Sequence, residues 1–312
     1  MSDRILVIRF GDLVDFVRAM PAMAQIRRSH PDAEITLLTT PSFESFAAAS
    51  GLFNAVWKDG RPAGAVAWLA LAARMRKARF SSVYDLQSSR TSANVRATLF
   101  GKSKRWIGAP SGYGGPTLER HWKQLVNAGI AGTFPAGATP RPDLAWTRQA
   151  TERNGMSVRE RMGVTAPFAI LVPGPYPGRP QARWPTKQYA ALAATLKAAG
   201  LTPVIAGSPQ EAGQAEAIQR HVPETIIVTG KVNPAELCAL ASEAAVTIGT
   251  NPAVVEVAAY AGSPTLMLLP SDIGPNRHPP VGDRLAVLLK EDLTSLEHDE
   301  VMKACEGLLS RA

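Results

Sequence analysis

Short aliphatic runs alternate along this chain with longer stretches whose apolar positions recur at helical spacing. The run over 5–8, Ile-Leu-Val-Ile, has no polar alternation, which is the pattern of a strand buried on both faces of a parallel sheet. After Gly11 and Asp12, apolar Val14, Val17, Met20 and Ala24 predict a helix over about 13–28, kinked or interrupted at Pro21. A strand over 35–38 and a short helix over 43–49 follow. Next come a helix over 65–77, with Trp68, Leu71, Ala72 and Met75 on one face, and a strand over 83–86.

The second half repeats the theme, with strands over 168–172, 202–205, 226–228, 245–248 and 265–269. Helices over 187–198, 210–221, 234–242 and 253–260 separate them. Asn233 can cap the third of these, since its side-chain oxygen accepts from free backbone N–H groups and Pro234 suits the first helical position. A tail helix over 293–309 carries the stripe Leu296, Val301, Ala304 and Leu308. The alternation predicts right-handed crossovers and a doubly wound α/β sheet in each half. Pro and Gly residues over 132–144 resist both helix and interior strand, so we place the boundary there, with domains over 1–145 and 146–312.

At 312 residues, 46% apolar and 19% charged, the chain can fill two packed cores. The apolar run between Arg4 and Arg9 is too short for a secretory leader or a membrane span. Cys238 and Cys305 have no neighbour at metal-ligand spacing, which disfavours a metal and fits a reducing compartment; the expected location is cytoplasmic. A net charge of +8 points to an anionic partner: nucleic acid, an acidic membrane surface or phosphorylated substrates. Scattered Lys and Arg, few aromatic residues and the lack of any nucleic-acid motif argue against the first.

Ligands of open α/β sheets bind beyond the carboxyl ends of the strands, where helix N-termini offer free N–H groups to phosphates. Four loops occupy that position. Arg9 to Asp15 is either a capped turn or a site, and it lacks the glycine fingerprint of a dinucleotide fold. In the loop from Val172 to Trp184, Arg179 or Arg183 could meet a diphosphate, or the segment is a solvated loop plugged by Trp184. Glu211 could grip ribose hydroxyls or cap a helix. In the loop from Ile248 to Ala253, small residues let N–H groups approach a phosphate, and a structural cap by Thr250 or Asn251 is the competing account. No nucleophile elbow, Walker loop or His-rich metal set occurs.

These same loops make the chain resemble the heptosyltransferases, sugar-nucleotide-dependent glycosyltransferases of family 9. The first match is ILVIRFGDLVDFVRAMPAM, where Asp15 stands before Pro21 as in the family's first helix. Others are YDLQSSRTSANVRATLFGKSKRWIG, LVPGPY, RWPTKQYAALA, IAGSPQE, GTNPAVVEVAAYAGSPTLMLL and DLTSLEHDEVMKA, together spanning nearly all of the chain.

The resemblance implies a GT-B architecture: two Rossmann-like doubly wound domains facing across a cleft, the first on the acceptor side and the second on the donor side. It implies inverting transfer of a sugar, ADP-heptose being the family's default donor, to a glycan such as lipopolysaccharide core, with no cofactor or metal. Asp15 is then the general base. Gly174, Pro175, Arg183, Glu211, Asn251, Pro252, Ala253 and Glu256 fall at the donor site, and Arg90 and Arg120 on the acceptor side. An anionic glycan or lipid-linked glycan acceptor would add a peripheral contact with the inner membrane surface. The chain departs from the family's pattern at Val14 in place of Gly and Ala182 in place of Lys. Asn251, Pro252, Ala253 and Glu256 replace the usual Asp-Thr/Ser-Gly with a following His. A catalytically silent relative that binds a sugar nucleotide or glycan is the alternative these departures suggest.

Overall fold

A computed structural model of the protein describes residues 3–98, 105–109, 117–135, 138–165, 167–175, 179, 182–272 and 284–309. The chain divides into two compact units, Met1–Pro142 and Asp143–Ala312.

The first unit runs β1 (Arg4–Ile8), α1 (Leu13–Ser29), β2 (Glu34–Leu38), α2 (Glu44–Ala49), β3 (Ala55–Trp57) and α3 (Gly64–Ala78). It continues through β4 (Ser82–Asp85), α4 (Arg90–Thr98), β5 (Arg105–Ile107) and α5 (Thr117–Asn127). Its parallel sheet has the order β3-β2-β1-β4-β5. Ile5 through Ile8 are all buried, as an interior strand of such a sheet requires. On one face Leu6 and Ile8 pack with Leu38, Val83 and Val95 and with Leu71 and Met75 of α3. Each such side chain removed from water stabilises the unit by about 1.5–3 kcal/mol. The first helix is not interrupted: α1 runs on through Pro21, and its buried Val17, Met20, Met23 and Ile26 anchor it on both sides of the residue that lacks an N–H.

The second unit opens with α6 (Trp146–Thr151), which packs on a later helix, and the short α7 (Val158–Arg161). Then follow β6 (Phe168–Val172), α8 (Thr186–Ala198), β7 (Thr202–Ile205), α9 (Ala212–His221), β8 (Ile226–Ile227), α10 (Pro234–Ala241) and β9 (Val246–Gly249). The unit closes with α11 (Pro252–Tyr260), β10 (Thr265–Pro270), β11 (Leu285–Lys290) and α12 (His298–Leu309). The sheet order is β11-β10-β9-β6-β7-β8, all parallel, the doubly wound Rossmann arrangement. Asn233 caps α10, accepting from the N–H groups of Ala235 and Glu236. The residue 202–205 and 226–227 strands join β6 and β9 over a core of Leu171, Tyr189, Leu192, Ile205 and Ile248, onto which Val301 and Cys305 of α12 also pack.

Both sheets have a switch point, where the chain, having built one side outward, returns to build the other. In the first unit it lies between β1 and β4, in the second between β6 and β9. The second seam is tight. A Cβ on Gly249 would lie 2.5 Å from the Val172 carbonyl oxygen and 2.6 Å from the Val172 Cβ.

Candidate functional site

In the first unit, β1 delivers its chain end to the switch point with Arg9 still inside the protein. The guanidinium is buried: Nη1 donates to the Leu86 carbonyl at 2.9 Å, beyond the end of β4, and Nη2 to the Asp15 carbonyl at 2.8 Å. Gly11, at φ 106°, turns the chain. Asp12 then caps α1, its Oδ1 accepting from the Asp15 N–H at 2.9 Å. The cap leaves the Asp15 carboxylate to other partners. Its Oδ2 lies 3.3 Å from Arg9 Nη2 and its Oδ1 3.9 Å from Arg18 Nη1, with the side chain 38% exposed. Asp15 is therefore a half-exposed carboxylate steadied by cations at the mouth of the switch point, able to accept a proton from a bound group.

Opposite it, the turn after β4 is pinned by Asp85. One oxygen accepts from the Gln87 and Ser88 N–H groups at 3.1 and 2.8 Å, and Gln87 Oε1 accepts from the Phe10 N–H at 2.8 Å, tying the two loops together. Burial pushes the Asp85 carboxyl above its ordinary range, against the pull of those N–H groups, the Ser92 hydroxyl and Arg9. A cavity of about 290 Å3 opens beside this turn, lined by Asp85, Ser88, Ser89, Arg96 and Trp106, with the Arg96 guanidinium 5.6 Å from the Trp106 ring centre. Arg90 is exposed at the start of α4.

Arg120 and His121 come from α5, which packs on α1. Arg120 is half-buried, and among the described residues its Nε has no hydrogen-bond partner. His121 is 1% exposed, and among the described residues neither ring nitrogen has a hydrogen-bond partner. Burial, with the nearby Arg9 and Arg120, drives its pKa well below the usual imidazole value. One turn on, Gln124 donates to the carbonyls of Asp85 and Ile107 at 3.0 and 2.7 Å.

In the second unit, the loops after β6, β7 and β9 converge. A Cβ on Gly174 would meet Asn251 Nδ2 at 3.1 Å and the Glu211 carboxyl carbon at 3.4 Å, so these three predicted residues share one corner. Thr250 holds the corner shut: its hydroxyl donates to the Gly174 carbonyl at 2.6 Å. The Tyr189 hydroxyl donates to the Val172 carbonyl at 2.9 Å and sits 3.2 Å from Thr250 Oγ1. Asn251, not Thr250, is the cap of α11, accepting from the Ala253 N–H at 3.1 Å, with Pro252 at the first helical position. Ala253 lies half-buried in that first turn.

Glu211 takes its capping role, with Oε2 2.7 Å from both the N–H and the hydroxyl of Ser208. Glu256 is turned inward, 2% exposed, and accepts from the Tyr260 hydroxyl at 2.8 Å. Arg183 is exposed and Pro175 half-buried, whereas the loop residues 176–178 lie outside the described residues. Arg179 pairs with Asp272, and Trp184 is fully buried, donating to the Leu296 carbonyl at 2.8 Å. Among the described residues no cluster of three or more His, Cys, Asp or Glu could hold a metal ion. None of the described helices is long and apolar enough to cross a membrane.

Sequence reasoning assigned no role to Arg9, Gln87, His121, Gln124 or Tyr189. The available signal was Arg9 itself, a charge placed directly at the end of an unbroken aliphatic run.

The sequence model of glycosyltransferase family 9 (heptosyltransferase) matches residues 68–305. No curated protein matches the chain in sequence. Among solved structures, ADP-heptose LPS heptosyltransferase II of E. coli is similar over 100% of this chain and 99% of its own, at 17% identity and a TM-score of 0.79. The E. coli heptosyltransferase WaaC with ADP is similar over 98% and 99%, at 15% identity and a TM-score of 0.71. A UDP-GlcNAc 2-epimerase from Methanocaldococcus jannaschii shares the fold over 98% and 92%, at 12% identity and a TM-score of 0.62.

Proposed function

Because the chain belongs to glycosyltransferase family 9, the heptosyltransferases, we propose that it moves a sugar, with inversion, from a nucleoside-diphosphate sugar to a glycan acceptor. The observation that carries this reading is the Asp15 carboxylate, left available by the Asp12 cap and steadied by Arg9 at the switch point. Asp15 takes the proton of an acceptor hydroxyl as that oxygen attacks the anomeric carbon. The bond from that carbon to the diphosphate breaks in the same step, and the negative charge leaves with the phosphate.

The corner of Gly174, Pro175, Glu211 and Asn251 is the donor side. There the N–H groups at the start of α11, around Pro252 and Ala253, together with Arg183, meet the departing diphosphate electrostatically, in place of a metal or other cofactor. Glu256 is 2% exposed and accepts from the Tyr260 hydroxyl at 2.8 Å, so one of its carboxylate oxygens is engaged within α11. ADP-heptose is the first donor to test, supported by the ADP named with the WaaC structure. Arg90, Arg120 and the cavity beside Asp85 form the acceptor side, suited to an anionic glycan. A lipid-linked acceptor would bring the protein to a membrane surface.

A thermal-shift screen over ADP, UDP, GDP and their sugars, followed by transfer to phosphorylated glycans, tests the reading. Asp15→Asn should keep the donor-induced shift and lose about 10²- to 10⁴-fold in turnover. Full turnover in that variant would remove Asp15 from the role. Donor binding by the wild-type protein without transfer to any acceptor would make it a silent relative.

A further inference from the structure

The turn after β4 holds the loop that carries Asp15 at two points. Arg9 Nη1 donates to the Leu86 carbonyl at 2.9 Å, and the Phe10 N–H donates to Gln87 Oε1 at 2.8 Å. A backbone N–H can only donate, so it fixes which end of the Gln87 carboxamide meets the loop: the oxygen is engaged and the NH2 group is left over. Among the described residues Nε2 makes no hydrogen bond, and in the half-buried Gln87 it stays open to solvent.

The place of this amide is over-determined. Ser88, next in the chain, holds φ 48°, a left-handed conformation uncommon for a residue with a side chain. Asp85 maintains it by accepting from the N–H groups of Gln87 and Ser88, and the Ser88 hydroxyl donates to the Asp85 carbonyl at 3.2 Å. Strain kept up by several bonds calls for a functional reason, and this turn lies at the switch point between β1 and β4, where open α/β sheets take their ligands.

Asp15 stands at the same switch point. Gly11, one residue beyond Phe10, would bring a Cβ to 3.4 Å from Asp15 Oδ2, and its φ of 106° disfavours one, so no side chain fills that flank of the carboxylate. The two groups are chemically complementary: an ionised carboxylate only accepts hydrogen bonds, and the free carboxamide NH2 only donates them. A vicinal diol answers both, one hydroxyl giving its proton to the acid while the neighbouring oxygen accepts from the amide. A lone hydroxyl answers only one.

We propose that Gln87 orients the acceptor sugar, its Nε2 donating to the hydroxyl oxygen beside the one that Asp15 deprotonates, so that the site selects a vicinal diol. This rests on the transferase reading above and names the acceptor feature that the site reads. It is tested by binding without turnover, so its failure is distinguishable from that of the transfer chemistry.

The probe is glucose 6-phosphate, which carries ring diols and a phosphate for the side of Arg90, Arg96 and Arg120. Cyclohexylmethyl phosphate is its counterpart of similar shape without hydroxyls. The full-length protein, isotope-labelled at nitrogen, is titrated with each and followed by NMR. The wild-type protein should bind the sugar about fivefold more tightly than the counterpart, and only the sugar should shift the side-chain NH2 signal that Gln87→Glu lacks.

Gln87→Glu keeps an oxygen for the Phe10 N–H and removes the donor. Circular dichroism and melting should be unchanged, and the preference for the sugar should disappear. The added charge weakens both phosphates alike and cancels in the ratio. Gln87→Met removes both ends and should lose the preference together with thermal stability. A preference of wild-type size in either variant, equal binding of the two probes by the wild-type protein, or an unmoved Gln87 signal overturns the proposal.

Discussion

Arg9 reaches under the start of α1 and touches Asp15 twice, donating to its carbonyl at 2.8 Å and lying 3.3 Å from its carboxylate. The same guanidinium is anchored at 2.9 Å to the Leu86 carbonyl beyond β4, so the position of Asp15 is referred to the sheet. Arg9→Met removes both anchors and leaves two carbonyls without their side-chain donor. Urea unfolding should show a loss of about 1–3 kcal/mol. With Asp15 as the proposed base, turnover should fall by about tenfold or more with the donor KM little changed, because displacing it would slow chemistry rather than donor binding. Arg9→Lys, which keeps the charge but not the fork, should fall between.

His121 makes the protein sensitive to acid. Its folded pKa is held well below 6.5 by burial and by Arg9 and Arg120, while in the unfolded chain it titrates near 6.5. Below that pH the unfolded state binds the extra proton, so stability is complete above about pH 6.5 and declines as pH falls toward the folded value. The slope reaches about 1.4 kcal/mol per pH unit. Urea titrations at several pH values from about 7.5 to 5 should show a shallower decline in His121→Gln than in the wild-type protein. His30, whose pKa is also lowered by burial, is present in both and cancels in the difference.

Thr250→Val keeps the shape of the side chain and takes away its hydroxyl. The Gly174 carbonyl, now served at 2.6 Å, is left unpaired, and Tyr189 loses a neighbour. We expect about 1–3 kcal/mol lower stability by thermal unfolding. The corner that presents Gly174 to Asn251 should loosen with it. A roughly tenfold rise in the KM of the nucleotide sugar, with kcat largely kept, is the kinetic counterpart.

The alternating pattern of aliphatic runs and helical stripes made both sheets legible, since interior parallel strands such as β1, β6 and β9 announce themselves by unbroken burial. What escaped were short or edge elements. β3 and β5 have three residues each, too few for any periodicity. α4 is mostly polar, and β11 was not read as a strand although its residues 285–289 are all apolar. α5 did carry a signal, Leu118, Trp122 and Leu125 at helical spacing, and reading it would have placed His121 and Gln124 beside α1.

The loops that carry Gly174, Glu211 and Asn251 were legible because small and capping residues mark βα turns, and the structure brings the three residues together. Arg9 was read only as the start of the turn or site over 9–15, although it is 1% exposed. A burial that depends on carbonyls reached from Leu86 and Asp15 cannot be read from local pattern, because one of those partners lies far along the chain.

Gly249 closes the seam between β6 and β9 so tightly that the two backbones cannot be spread by anything larger than hydrogen. The floor beneath the corner of Gly174, Glu211 and Asn251, the proposed donor side, is thus of fixed width. On the proposed reading, a shift in preference from one nucleotide to another would come from side chains standing on that floor, in the loops at 173–175, 207–211 and 250–253. Randomising those loops while holding position 249 constant is therefore the economical route to altered donor choice.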